Sequence, residues 1–182
     1  MIILVDMDDT IEQLLQAWVD GVNKKYGRSA SCDDITDWNV SKAFPGLSWE
    51  EVYTVPIEPG FWGRVLPIPG AVEGLKALID RGHEVYIVTA TYYESVEEKM
   101  KDLLFRYFPF LSWSQVILTG RKQLIRGDVL IDDGIHNLEG GDYRKILFTA
   151  AHNRFYDAEA HGMIRVNTWE EAVEVIDKRF AV

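Results

Sequence analysis

Residues 1–10 read MIILVDMDDT: an apolar run, Ile2 to Val5, followed by Asp6, Asp8 and Asp9 and then Thr10. Consecutive apolar residues of this length are the pattern of a strand buried on both faces, as in a parallel sheet. Aspartate is a poor strand residue, so the acidic cluster falls just past the strand's C-terminal end. Like charges this close repel, and nothing basic stands nearby in sequence to pair with them. An ordinary turn or helix start accounts for an isolated D-x-D. A calcium-binding EF-hand loop does not account for this one, which lacks the loop's central glycine.

A second acidic pair changes the reading. Asp132 and Asp133 end another buried-type run, VLIDD. If the two strands are neighbours in a parallel sheet, both clusters meet at one edge, an arrangement that is strongly unfavourable without a cation. Hard oxygen ligands with room for water and a phosphate suit Mg²⁺. Thr89, after EVYIV, offers a hydroxyl and a backbone N–H to an anion. Lys122, after QVILTG, brings an ammonium within reach of a phosphate oxygen. Each alone reads as an ordinary surface or strand-end residue; the repetition of one placement raises all four.

Further strand-like runs end at Val88, Leu118, Ile131 and Phe148, with a weaker one at 163–166. Helical patterns lie between them. Residues 71–81 carry Val72, Leu75, Leu78 and Ile79 on one stripe, residues 94–108 stop at Pro109, and a last helix opens with Thr168 and Glu171 as a capping box. The alternation predicts an α/β fold, a doubly wound parallel sheet with helices on both faces. It is interrupted once, by about eighty residues between the first two strands, far more than a crossover needs. That interval holds an amphipathic stripe (Ile11, Leu15, Trp18, Val22), a polar loop at 29–37, a short capped helix at 48–55 and four of the six tryptophans. Residues 14–66 are expected to form a small, mostly helical cap inserted after the first strand, over the sheet's carboxyl edge. Residues 1–13 and 67–182 form the core. In open α/β sheets that edge is where ligands bind.

The chain is 182 residues long, 47% hydrophobic and 26% charged, which suits one ordinary globular domain with an insert. A formal charge of −10 argues against a nucleic-acid polymer as partner but not against a small anion held locally. No apolar run approaches a membrane span, and the apolar start breaks at Asp6 before it serves as a signal peptide. The lone Cys32 excludes an internal disulfide framework and makes a reducing, cytoplasmic location the expectation.

With these residues in hand, the sequence resembles the haloacid dehalogenase superfamily of phosphohydrolases. Its signature appears as ILVDMDDT, VTAT at Thr89, Lys122 in TGRKQ, and LIDD at Asp132–Asp133. Within it the chain is most similar to the 5′(3′)-deoxyribonucleotidases, through VDMD, LPIPGA at 66–71, VILTGRKQLIRGDVLIDD at 116–133 and ILFTAAHN at 146–153. It departs from that family at Asp9-Thr10, where Gly-Val is common, at Leu14, where an aromatic is expected, and at Ala90-Thr91, where Ser-Pro is.

The resemblance implies a Mg²⁺-dependent phosphomonoesterase acting on nucleoside monophosphates. Asp6 would be the nucleophile and Asp8 the acid/base, with Thr89 and Lys122 on the phosphoryl oxygens. Mg²⁺ would be held by Asp6, Asp8 (through its carbonyl) and Asp133, with Asp132 close behind. For the base, Trp38 and the pair Phe61-Trp62 are the candidates, whereas Trp18 and Trp49 fit core packing on helical stripes. His152 reads as a local hydrogen-bonder. A small nucleotide is the expected partner, a homodimer is allowed for, and a membrane is not expected. Other readings are a phosphatase for a different small ester such as a sugar phosphate, and a non-catalytic nucleotide-binding module. The module is expected to have lost Asp6 or Lys122, and both are present. A true dehalogenase is disfavoured, since that chemistry needs neither Asp8 nor the acidic pair.

Overall fold

The computed structural model describes residues 1–180. Six strands, β1 (Ile2–Val5), β2 (Glu84–Thr89), β3 (Val116–Leu118), β4 (Val129–Asp132), β5 (Arg144–Phe148) and β6 (Ile164–Val166), form one sheet in the order β3-β2-β1-β4-β5-β6. Every pairing is parallel. The chain builds outward from β1 in one direction and then returns to β4 on its other side. The crevice between β1 and β4 is therefore the switch point of the sheet, where open α/β folds place their ligands.

Alternation along the strands divides the core. Ile3, Val5, Ile87, Val129 and Ile131 join one buried cluster, whereas Leu4, Val88 and Leu130 join another. Both faces are apolar because both are covered, as a parallel sheet requires. The coverage is uneven. The helices α1 (Leu14–Tyr26), α2 (Trp49–Tyr53) and α3 (Ala71–Asp80) contribute to the larger cluster. So does α4, which runs Val96–Glu98, Lys99–Leu104 and Phe105–Tyr107, its middle stretch wound as a π-helix. The last helix, α6 (Trp169–Val175), follows a short α5 (Ile135–Leu138) that packs with the smaller cluster. Gly74 lets α3 and α6 close together: a Cβ there would stand 2.7 Å from Trp169 Cε3.

Residues between β1 and β2 share the core rather than making a separate one. Trp18, Val22, Val52, Val55, Phe61 and Val65 all belong to the cluster that contains Ile3 and Val5. Local chemistry explains the helices of this stretch. In α2, Ser48 Oγ accepts from the Glu51 N–H at 3.2 Å and the Glu51 carboxylate accepts from the Ser48 N–H at 2.6 Å. The α6 cap is only half the expected box. Thr168 Oγ1 accepts from the Glu171 N–H, but the Glu171 carboxylate turns to the Asn167 N–H at 2.6 Å. Two further expectations fail. Ile11, expected on the α1 stripe, is buried in the loop before the helix. Trp49, expected in the core, is 54% exposed and stacks flat on Tyr53 at 4.3 Å.

Candidate active site

Parallel register carries the two acidic clusters together. Val5 pairs with Ile131, and the Asp6 N–H donates to the Ile131 carbonyl at 2.9 Å. One residue further along each strand stand Asp6 and Asp132. Carboxylate oxygens of Asp6, Asp132 and Asp133 lie within 4.8 Å of one another, all three residues buried. Three such groups in a dry setting need positive charge.

Lys122 supplies part of it. Its buried ammonium contacts both Asp6 Oδ1 and Asp132 Oδ2, the latter at 2.6 Å. Asp132 is otherwise fully engaged, Oδ1 accepting from the Gly134 N–H (2.7 Å) and from Asn137 Nδ2 (3.0 Å). Asp133 is more lightly held, by the Thr10 hydroxyl at 3.5 Å and by His152 Nε2, 3.3 Å from its Oδ2. Burial first, and then the charges of Asp6 and Asp132, hold the Asp133 carboxyl well above the usual carboxylate range. Asp6 is pushed up to about 7 by burial, against the pull of Lys122. Both shifts express one fact: this cluster of hard oxygens has less positive charge around it than it needs. That donor set fits Mg²⁺.

Asp8 faces away from this cluster. Its Oδ1 lies 2.5 Å from the ammonium of Lys99, a lysine with 0% exposure that also donates to Thr89 Oγ1 at 3.2 Å. Against the effect of its partial burial, the Lys99 charge holds Asp8 below the ordinary carboxylate range. Glu12, also fully buried, has neither oxygen hydrogen-bonded among the described residues. Burial and then the Asp8 charge push its carboxyl well above the ordinary range.

Asp9 has its own explanation. Its φ of +52° makes it the only non-glycine residue in the left-handed region among those described. Asparagine and aspartate visit that region more readily than other side-chain-bearing residues. Its Oδ1 accepts the Leu15 N–H at 2.9 Å, in the first turn of α1. Gln13, at the formal cap position, makes no side-chain cap bond. The third aspartate therefore replaces a glycine's conformational freedom with a helix cap. Thr10 is buried as well, its carbonyl accepting Trp169 Nε1–H at 2.8 Å.

A pocket of about 330 Å³ opens on this edge, lined by Asp8, Asp9, Lys99, Asp133 and His152 at one end and mainly by apolar side chains elsewhere. The volume is in the range of small-ligand sites. Of the aromatic candidates, Trp38 and Trp62 line it and Phe61 does not. Phe61 is 1% exposed and packs edge-on to Trp62 within the core, which corrects the sequence expectation for that residue. Trp38 is 56% exposed and stands edge-on to His136 and His152. Trp18, expected in the core, touches the pocket with its ring while its Nε1–H donates to the Val52 carbonyl at 2.8 Å. Leu14 and Tyr53 complete the apolar wall. His152 Nε2 lies 3.3 Å from the Asp133 carbonyl, and burial lowers its pKa.

Lys99 is the residue that sequence reading passed over. A signal was there: it stands three residues after Val96 and four before Leu103, a charge on an otherwise apolar stripe. A buried-stripe lysine needs a partner, and here the partner comes from ninety-one residues away.

The fold comes first, and it is the one shared by solved haloacid dehalogenase-like proteins. A hydrolase of this type from Deinococcus radiodurans R1, with bound phosphate and sodium, superposes with a TM-score of 0.62 at 15% identity, covering 96% of this chain and 94% of that one. A D,D-heptose 1,7-bisphosphate phosphatase from Burkholderia thailandensis gives 0.56 at 11%, covering 98% and 99%. The family follows from sequence. The model for "5' nucleotidase, deoxy (Pyrimidine), cytosolic type C protein" matches residues 1–180, and the chain belongs to that family. A 5′(3′)-deoxyribonucleotidase of Bacillus subtilis (strain 168) is 36% identical over 172 residues, 93% of this chain and 95% of the relative. One from Clostridium acetobutylicum is 32% identical over 168 residues, 92% and 90% respectively.

Proposed function

We propose that the protein is a Mg²⁺-dependent phosphomonoesterase of deoxyribonucleoside monophosphates, acting through a phosphorylated Asp6. One observation carries the reading: the carboxylates of Asp6, Asp132 and Asp133, the ammonium of Lys122 and the hydroxyl of Thr89 stand at the ends of adjacent strands beside one apolar-walled pocket. Relatives named 5′(3′)-deoxyribonucleotidase over nine-tenths of the chain support the substrate class.

In this scheme the anionic phosphate, bound beside Asp8, offsets the pull of Lys99 so that Asp8 holds a proton, which it gives to the departing nucleoside oxygen while Asp6 Oδ attacks phosphorus. Asp8, now a carboxylate, takes a proton from the water that hydrolyses the phosphorylated Asp6, which releases phosphate and restores both residues. Lys122 and Thr89 hold the phosphoryl oxygens and balance the charge that builds there. Asp6, Asp133 and the backbone carbonyl of Asp8 would hold Mg²⁺, with Asp132 behind them pinning Lys122. Bound there, the ion supplies the positive charge that lets an anionic nucleophile meet an anionic phosphate. Residues 14–66 act as the cap, with Trp38 and Trp62 as the surfaces for the base. The lone Cys32, unpaired, agrees with a cytoplasmic enzyme.

The test is hydrolysis of dUMP, dTMP and their 3′ isomers against sugar phosphates, each with Mg²⁺ and with EDTA. Deoxynucleotide turnover that stops in EDTA is expected. Preference for sugar phosphates would overturn the substrate reading, and metal-independent turnover would overturn the mechanism.

A further inference from the structure

We propose that Lys99 is the positioning residue for Asp8, fixing the carboxylate that handles the nucleoside oxygen. The inference rests on the phosphomonoesterase reading and adds to it a residue outside the acidic clusters and the strand ends.

The geometry is specific. Lys99 is fully buried, and its ammonium meets three groups: Asp8 Oδ1 at 2.5 Å, Thr89 Oγ1 at 3.2 Å and the face of the Trp62 ring at 4.6 Å from its centroid. An ammonium has three protons and a strong cost of burial, so each contact is needed to hold it. Its neighbour in sequence completes the frame: a Glu98 carboxylate oxygen accepts the Trp62 N–H at 3.0 Å. Two consecutive residues of α4 thus fix Asp8 on one side and a pocket-lining tryptophan on the other. The helix is π-wound from Lys99 to Leu104. Such widened turns are frequent at functional sites.

Asp8 needs this support. It follows Asp6 by two residues on a loop, its side chain is 29% exposed, and its side-chain contact with a basic group is Lys99. Lys122 serves Asp6 and Asp132 instead. The two buried lysines therefore divide the work: one holds the nucleophile's cluster, the other the acid/base. A carboxylate that swings freely would meet the leaving oxygen only part of the time, and proton transfer is sensitive to such placement.

The alternative is a structural ion pair that merely ties α4 to the loop. A leaving-group comparison separates the two. A nucleoside alkoxide needs a proton to depart, whereas nitrophenolate departs without one. In Lys99→Met, nucleoside release in a single turnover, the step that uses the Asp8 proton, should slow by about 10²–10⁴-fold, the usual contribution of general acid–base catalysis. Nitrophenolate release measured the same way should slow far less, so the ratio of the two rates changes, and Lys99→Arg should recover part of the ratio. If Lys99→Met does not fold, Lys99→Gln, which keeps a donor of similar length, carries the same comparison. Equal slowing of the two single-turnover releases would overturn the proposal and leave a structural pair. A wild-type enzyme that hydrolyses no nucleotide would instead sink the functional reading on which it rests.

Discussion

Asp9 offers a prediction that can be worked through quantitatively. The residue combines a left-handed backbone, φ +52°, with a carboxylate that accepts the Leu15 N–H at 2.9 Å. Asp9→Asn keeps the acceptor and tolerates the conformation. Asp9→Gly suits the backbone but loses the acceptor, and Asp9→Ala fails on both counts. A lost cap costs about 1 kcal/mol, and a left-handed residue bearing a Cβ costs roughly 1–2 kcal/mol more. Alanine should therefore lie about 2–3 kcal/mol below asparagine, with glycine between them. For a chain of this size that gap is about 4–12 °C in Tm. Charge adds a pH dependence. Burial pushes the Asp9 carboxyl up to about 7 from 3.8. A carboxyl raised in the folded state contributes its full stability below the unfolded pKa and loses it as pH rises through the folded one. Asparagine should therefore match wild type near pH 4 and exceed it at pH 8, by at most about 4 kcal/mol at 1.36 per unit. Thermal melts of the four proteins in EDTA at both pH values measure this. Alanine as stable as asparagine would refute the capping argument, and an asparagine advantage independent of pH would refute the charge argument.

Other substitutions probe other parts. Lys122→Met strips the ammonium from Asp6 and Asp132, so urea unfolding in EDTA should show a loss of about 3–5 kcal/mol, together with loss of turnover; wild-type stability would contradict the buried pair. Trp38→Ala should leave the fold intact, since the ring is 56% exposed. It should raise KM for a deoxynucleotide by about 5- to 150-fold through lost stacking, and an unchanged KM would remove Trp38 from the base site. Gly74→Ala sets a methyl 2.7 Å from Trp169 Cε3. Overpacking of about 1–3 kcal/mol should outweigh the helix gain of about 1 kcal/mol, so a higher Tm would show that α3 and α6 can move apart.

Much of this was legible before any coordinates. Fully apolar runs ending in functional residues announce a parallel sheet, because only doubly covered strands tolerate apolar residues at every position. Once the strands are parallel, Asp6, Thr89 and Asp132 must share an edge. What sequence hid was side-chain partnership over long separations. Lys99 meets Asp8 across ninety-one residues of sequence; its place on an apolar stripe signals a buried charge, but no local periodicity names the partner. Phe61 and Trp62 are adjacent in sequence and both buried in the core, yet only Trp62 reaches the pocket wall. The role of Asp9 is not legible in the sequence, because a positive φ cannot be read from a single chain.

The central claim is that Asp6 carries the phosphoryl group during turnover. Acid quenching during steady-state hydrolysis of a deoxyribonucleoside monophosphate with Mg²⁺, followed by mass spectrometry of the peptides, tests it directly. The account predicts a phosphoryl group on Asp6, absent in EDTA and absent from Asp6→Asn, which should remain folded. Full turnover by Asp6→Asn, or a phosphoryl group on any other residue, would contradict it.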